Sequence, residues 1–261
     1  MAKALRRSRI KIWCDVIFAL LVRHVGSKFD DKFGMAWAVI EPLLFILMLS
    51  FLRGRMGGEE SHGMPVFVFI MFGMLMLRAF TDVLSDAASA LRKNKSLFAF
   101  RQVQPISSVI ASAIFNVIID IFVFSLILLF MYLMKIEFQI SDMLTILLLY
   151  AQLIMMGISF GLLFGIASTF VRELDKIRSL ITRPLMFISC VFFSLQDIPE
   201  ELWPYFTWNP LLHCIELSRQ AAYPNFGAVG VDYSYVSIIT ICVLFLALAC
   251  YRLTWKEVLS R

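Results

Sequence analysis

Five ionisable side chains stand in the midst of apolar sequence, and any chemistry would have to begin with them: Glu41, Arg78, Asp82, Asp120 and Arg183. A charge held at membrane depth is expensive, so such groups turn toward a protein or aqueous interior, where they form pairs or mark the path of a solute. Glu41 precedes Pro42, which lacks a backbone donor and kinks a helix. It lies about 12 Å along a helix that starts near Phe33, at about 1.5 Å per residue. A hydrogen bond to a neighbouring helix and a solute contact account for it equally well. Arg78 and Asp82 are one turn apart and can satisfy each other. Asp120 has only Asn116 a turn before it, so a basic group on another helix, or water, is expected to face it.

Bond-making constellations do not accompany these charges. The sequence contains no G-x-x-x-x-G-K-[ST] phosphate loop and no G-x-S-x-G nucleophile setting. His24, His62 and His213 are too far apart in sequence to give metal-ligand spacing. The chain is therefore expected to recognise and pass a solute rather than transform one, with energy from a partner protein or an ion gradient.

The elements that must position these groups are apolar runs. Six of them, about 33–52, 65–84, 106–134, 143–170, 178–195 and 233–252, are long enough to cross a hydrocarbon core about 30 Å thick. With 60% hydrophobic and 16% charged residues, against about 25% charged in soluble domains, the expected fold is an all-α membrane protein with no separate soluble domain. Nineteen of the 24 Lys and Arg residues fall on one side if both termini are cytoplasmic, as the positive-inside tendency requires. The net charge of +5 is thus explained by topology and gives no reason to invoke nucleic acid. The five cysteines form no C-x-x-C pair and read as packing residues; a disulfide is conceivable only between Cys190 and Cys214.

Ahead of the first run, Trp13, Val16, Ile17, Leu20, Leu21 and His24 recur at helical spacing, predicting an amphipathic helix at the cytoplasmic interface. Simple anchoring competes there with a role in admitting a lipid-linked substrate. Gly157, Gly161 and Gly165 form a four-residue stripe that lets backbones approach closely, within the subunit ahead of a dimer contact. Between the second and third runs, "LRKNKSLFAFRQVQP" sets Arg92, Lys93, Lys95 and Arg101 around Leu97, Phe98 and Phe100. Basic residues alone would suit a lipid-facing loop; the aromatics suit docking to a soluble partner. Finally, "LQDIPEELWPYFTWNPLLHCIELSRQAAYP", residues 195–224, is too polar for a span and too long for a plain turn.

Three stretches carry a family resemblance. "FISCVFFSLQDIPEELWPYFTWNPLLHCIELSRQAAYP", "FGMAWAVIEPL" and "SLFAFRQVQPI" resemble, in order, the region before the last span, the start of the first span and the coupling helix of the membrane subunits of ABC-2 type polysaccharide exporters. Chain length and the six-span plan agree from end to end. The resemblance implies a homodimeric inner-membrane channel that is not itself an enzyme. Two copies of a cytoplasmic ATPase would carry ATP and magnesium, with no cofactor on this chain. It implies a lipid-linked, acidic capsular polysaccharide as substrate, and a periplasmic co-polymerase and outer-membrane exporter as further partners.

In that plan residues 1–32 form the interface helix, 33–195 spans one to five, about 90–102 the coupling helix, 196–232 the periplasmic gate, and 233–261 the last span and tail. The gate would be two short re-entrant helices, about 198–206 and 210–222, holding Trp203, Trp208, Asn209, Pro210 and an internal Glu216–Arg219 pair. Pro199 and Pro210 suit first-turn positions. The tryptophans would anchor the gate in the lipid interface or offer faces to sugar rings. Trp37, Glu41, Arg78, Arg183 and Phe187 are the expected channel lining, and Arg92, Lys93, Lys95, Leu97, Phe98 and Arg101 the expected ATPase contact. Related exporters of O-antigen, teichoic acid or a small drug would share this plan. An ion-coupled secondary transporter is more distant, since no pair of broken helices occupies corresponding positions of two inverted halves; an enzyme acting on lipid-linked sugars lacks a catalytic constellation.

Overall fold

The computed structural model describes residues 8–29, 34–58, 60–100, 102–171 and 173–260. Its α-helices are α1 (Arg9–Phe29), α2 (Gly34–Gly57), α3 (Val66–Lys93), α4 (Pro105–Met134), α5 (Met143–Phe170), α6 (Leu174–Ile188), α7 (Pro210–Ala222) and α8 (Tyr233–Ser260). A small antiparallel hairpin, β1 (Glu60–Ser61) with β2 (Met64–Pro65), joins α2 to α3. Helices dominate because a backbone in hydrocarbon must satisfy its own polar groups. Local signals set their ends: Pro105 opens α4, Lys135 closes it with φ 56°, and the Asp142 carboxylate caps α5 by accepting from the Thr145 N–H at 3.1 Å. Among the described residues, α3, α4, α5 and α8 are long and apolar enough to cross a membrane.

Helix α3 is the centre of the bundle, buried along most of its length against α4, α5 and α7. The glycine stripe of α5 lies on it. A methyl group at Gly161 would stand 2.5 Å from the Ala87 Cβ and 2.8 Å from the Leu84 carbonyl oxygen, so the stripe serves packing within this chain. Helix α1 turns its apolar stripe onto α4, burying Leu20 and donating from Trp13 Nε1 to Ser107 Oγ at 2.9 Å.

Three expectations change. The run at 178–195 is helical only as far as Ile188, and α6 has 15 residues, about 22 Å of helix. Its continuation leaves the helix at Cys190, with φ 54°, because the Arg219 guanidinium takes the carbonyls of Cys190, Val191 and Phe193 at 3.0, 2.8 and 3.5 Å. The short helix expected at 198–206 is a 3-10 helix, Glu200–Tyr205, rather than an α-helix, and a separate 3-10 turn, Leu195–Asp197, precedes it. Pro199 precedes the second turn and Pro204 lies inside it, and neither has an N–H for an α-helical ladder. Asp120 meets a neutral donor rather than a base: Tyr150 Oη lies 2.9 Å from its carboxylate, while Asn116 donates to Asp86 at 3.2 Å. All five cysteines are free thiols, with Cys190 and Cys214 buried.

Candidate functional site

A cleft of about 680 Å³ opens between α2, α3 and α6. Helix α2 contributes Glu41, Pro42 and Phe45; α3 contributes Arg78, Thr81, Asp82 and Ser85; α6 contributes Arg178, Ser179, Thr182, Arg183 and Phe187. Four of the five lining residues expected from sequence, Glu41, Arg78, Arg183 and Phe187, therefore meet in one space. Trp37 is not among them; its ring is 59% exposed on α2. Arg78 Nε pairs with Asp82 at 2.9 Å, as their spacing predicted. The cleft thus has one internally neutralised pair and three further charges, Glu41, Arg178 and Arg183. Such an arrangement can hold an anion or a hydroxyl-rich solute by hydrogen bonds.

Beyond α6 the backbone is organised by one residue. Arg219 is fully buried and donates to the carbonyls of Phe69, Cys190, Val191 and Phe193 and to the Glu216 carboxylate, the last at 3.0 Å. Its guanidinium carbon lies 3.5 Å from the centre of the Phe69 ring. Ser194 Oγ donates to the other Glu216 oxygen at 2.9 Å. The expected pair is present, and it also ties α7 to the end of α6 and to α3. Buried non-helical backbone persists only where its polar groups are satisfied, which is what this guanidinium does. Gly73 makes room: a Cβ there would lie 2.7 Å from Arg219 Nη2.

The remaining residues expected in the gate divide. Asn209 caps α7 by accepting from the Leu211 N–H at 3.1 Å, and Pro210 occupies its first turn. Trp203 is half-buried and donates to the Ile198 carbonyl at 3.0 Å, whereas Trp208 is 59% exposed and donates to the Tyr205 carbonyl at 2.7 Å. A cluster that sequence reading missed joins the hairpin to this region: Asp197 accepts from His62 Nε2 at 2.8 Å and from Arg53 Nη2 at 3.4 Å. Burial pushes the Asp197 carboxyl up, but the Ser194 N–H, His62 and Arg53 outweigh it and hold the group below the usual carboxylate value.

Similarity to known proteins bears on what this architecture is. Residues 15–223 match the family model described as ABC-2 type transporter. The chain is 31% identical to the polysialic acid transport protein KpsM of Escherichia coli, covering 97% of this chain and 99% of that one. The chain belongs to the ABC-2 type transporter family. Other relatives are the capsule polysaccharide export inner-membrane proteins CtrC of Neisseria meningitidis serogroup B, 26% identical, and BexB of Haemophilus influenzae, 23% identical. Each alignment covers 89% of this chain and 87% of the relative.

Within this ABC-2 chain, the segment expected to meet a partner is a 3-10 turn, Lys95–Ala99, between α3 and α4. Lys95 is exposed and Phe100 is 64% exposed, but Phe98 is half-buried and packs against the apolar cluster that holds Ala87, Leu91, Val109, Leu162 and Ala247. Leu97 is half-buried, Arg92 pairs with Asp175, and Lys93 Nζ lies 3.6 Å from Asp86; Arg101 lies outside the described residues. Arg178, counted from sequence only as a topological charge, proves to line the cleft. A legible signal existed: Arg178 with Thr182, and Ser179 with Arg183 and Phe187, recur at steps of four.

Proposed function

We propose that this chain is the membrane permease of an ATP-driven exporter that moves lipid-linked, acidic capsular polysaccharide across the bacterial inner membrane. The observation that carries the reading is end-to-end similarity, over 97% of this chain, to a polysialic acid transport protein. In this reading α2 and α6 join α3, α4, α5 and α8 as six spans, both termini face the cytoplasm, and two copies enclose the path. Helix α6 is the short span, completed by the turn that Arg219 holds. The cleft lined by Glu41, Arg78, Arg178 and Arg183 contributes one wall. Helix α7 and the 3-10 turns before it form the exit gate, and Lys95–Ala99 receives movement from two ATPase subunits carrying ATP and magnesium. A periplasmic co-polymerase and an outer-membrane exporter continue the route.

The decisive experiment is deletion in the native host with radiolabelled polymer. Polymer retained in the cytoplasm, with export restored by the parent chain together with its ATPase, supports the reading. Normal surface capsule in the deletion strain overturns it. Accumulation of O-antigen or teichoic acid in its place reassigns the cargo.

A further inference from the structure

A cavity of about 290 Å³ lies among α3, α4 and α5 and shares no lining residue with the cleft. Its walls are hydrocarbon, thioether and aromatic: Met71, Phe72 and Met76 of α3, Phe124 of α4, Ile146 and Leu147 of α5. Three polar side chains interrupt them, Asp120, Ser125 and Tyr150. Ser125 gives its hydroxyl hydrogen to the Ile121 carbonyl at 2.7 Å. Asp120 and Tyr150 remain as the chemistry of the space.

Tyr150 donates its one hydroxyl hydrogen to Asp120 Oδ2 at 2.9 Å, and Oδ1 has no hydrogen-bond partner among the described residues. Among those residues no lysine or arginine lines the cavity. Arg78 acts on Asp120 only from beyond salt-bridge distance and is itself paired with Asp82 at 2.9 Å. Asn116, one turn before Asp120, donates to Asp86 at 3.2 Å. A carboxylate halfway along an apolar helix is costly until a proton or a cation neutralises it. The cavity offers a cation more than that one charge: the rings of Phe72, Phe124 and Tyr150 line the same space, and aromatic faces attract ammonium groups. Its volume suits one small ligand, near the lower end of the range of about 300–1,000 Å³ for such sites.

We propose that this cavity is a binding site for a small lipophilic amine. Its ammonium group donates to Asp120 Oδ1, beside the phenol of Tyr150, and its hydrocarbon or aromatic body lies between α3, α4 and α5. An aminophospholipid also carries an ammonium group, but the phosphate tethered next to it would find no cation in this lining. An anionic lipid or an acidic sugar is disfavoured by the same carboxylate. The site is separate from the cleft, and its binding does not rest on the export reading.

The test uses the purified full chain in an uncharged maltoside detergent, titrated by isothermal calorimetry with 4-phenylbutylamine, 4-phenylbutanol and 4-phenylbutyrate, empty micelles being subtracted. One skeleton thus presents a cation, a neutral hydroxyl and an anion. The amine is expected to bind at least about tenfold more tightly than the alcohol, since a charge-assisted hydrogen bond is roughly twice as strong as a neutral one, and the acid is expected not to bind measurably. Asp120→Asn keeps the shape and an acceptor for Tyr150 but removes the preference, whereas Tyr150→Phe keeps it. Leu75→Trp, at a half-buried position in the lining, fills the cavity and weakens amine and alcohol alike by about tenfold. Equal binding of amine and alcohol, or an unchanged preference in Asp120→Asn, overturns the site. Where Asp120→Asn does not fold, undiminished amine binding by Leu75→Trp overturns it instead. Displacement of the amine by lysophosphatidylethanolamine overturns the assignment to a small amine, and failure of that lysolipid to compete supports it.

Discussion

Replacing Arg219 by methionine keeps a long side chain in the same space and removes every donor. Five acceptors lose their partner at once: the carbonyls of Phe69, Cys190, Val191 and Phe193, and the Glu216 carboxylate. Glu216 is fully buried, so its charge is left with the Ser194 hydroxyl and the Leu195 N–H but without its cation. Removing one partner of a buried ion pair is destabilising by about 3–5 kcal/mol, and a single orphaned buried acceptor adds about 1 kcal/mol. A loss of at least about 5 kcal/mol follows, and at about 2–4 °C per kcal/mol for a chain of this size the melting midpoint falls by at least about 10 °C. Glu216→Gln, which retains an acceptor and leaves the carbonyls matched, loses less than half as much. The double variant Arg219→Met with Glu216→Leu recovers part of the loss but not all, because the carbonyls stay orphaned. Thermal scanning of the detergent-purified chain by intrinsic fluorescence measures all three. A fall below about 3 °C in Arg219→Met would refute the view that one guanidinium holds the end of α6.

Gly161→Leu drives a side chain into Ala87 and the α3 backbone, where a Cβ alone already stands 2.5 Å from a neighbour; overpacking of this kind destabilises by about 3 kcal/mol, visible as a lower melting midpoint. Phe98→Ala and Phe100→Ala separate fold from docking. The first lowers stability by about 1–3 kcal/mol through lost packing, while the second leaves the midpoint unchanged and reduces stimulation of a copurified ATPase. The Asp197 clamp has a pH dependence of defined sign: its folded carboxyl titrates below the unfolded value, so its contribution is complete above about pH 4 and is lost as pH falls through the depressed folded value. Hydrogen-exchange protection factors of residues 60–64, corrected for the intrinsic pH dependence of exchange, should fall on acidification in the parent chain and be low at every pH in Asp197→Asn.

What sequence revealed and what it withheld follow one division. Features set by neighbours along a helix were legible: the Arg78–Asp82 and Glu216–Arg219 pairs, the Pro210 opening of α7 and the glycine stripe each need only spacing of three or four residues. Features set by distant backbone were not. Arg219 could be paired with Glu216 on paper, yet its carbonyl partners lie 26 to 29 residues earlier and, for Phe69, 150 residues earlier. The early end of α6 was hidden for that reason, since an apolar run does not say that a remote guanidinium will claim its carbonyls. Asp120 went to Tyr150 because a phenol on a neighbouring helix can meet a carboxylate without adding a second charge. Of the lining expected mainly on the first and fifth runs, Glu41, Arg78, Arg183 and Phe187 share one cleft, and a costly charge has reason to face an interior; Trp37 is exposed instead, because an aromatic is at home on either face.

The inward turn of Phe98 changes what a push on Lys95–Ala99 would accomplish. Phe98 packs against a cluster built from residues of α3, α4, α5 and α8, so the turn resembles a ball joint more than a flap. A flap bends at its own hinges and dissipates the displacement locally. A seated ball tilts its whole socket, so any displacement of this turn would be shared by four helices together.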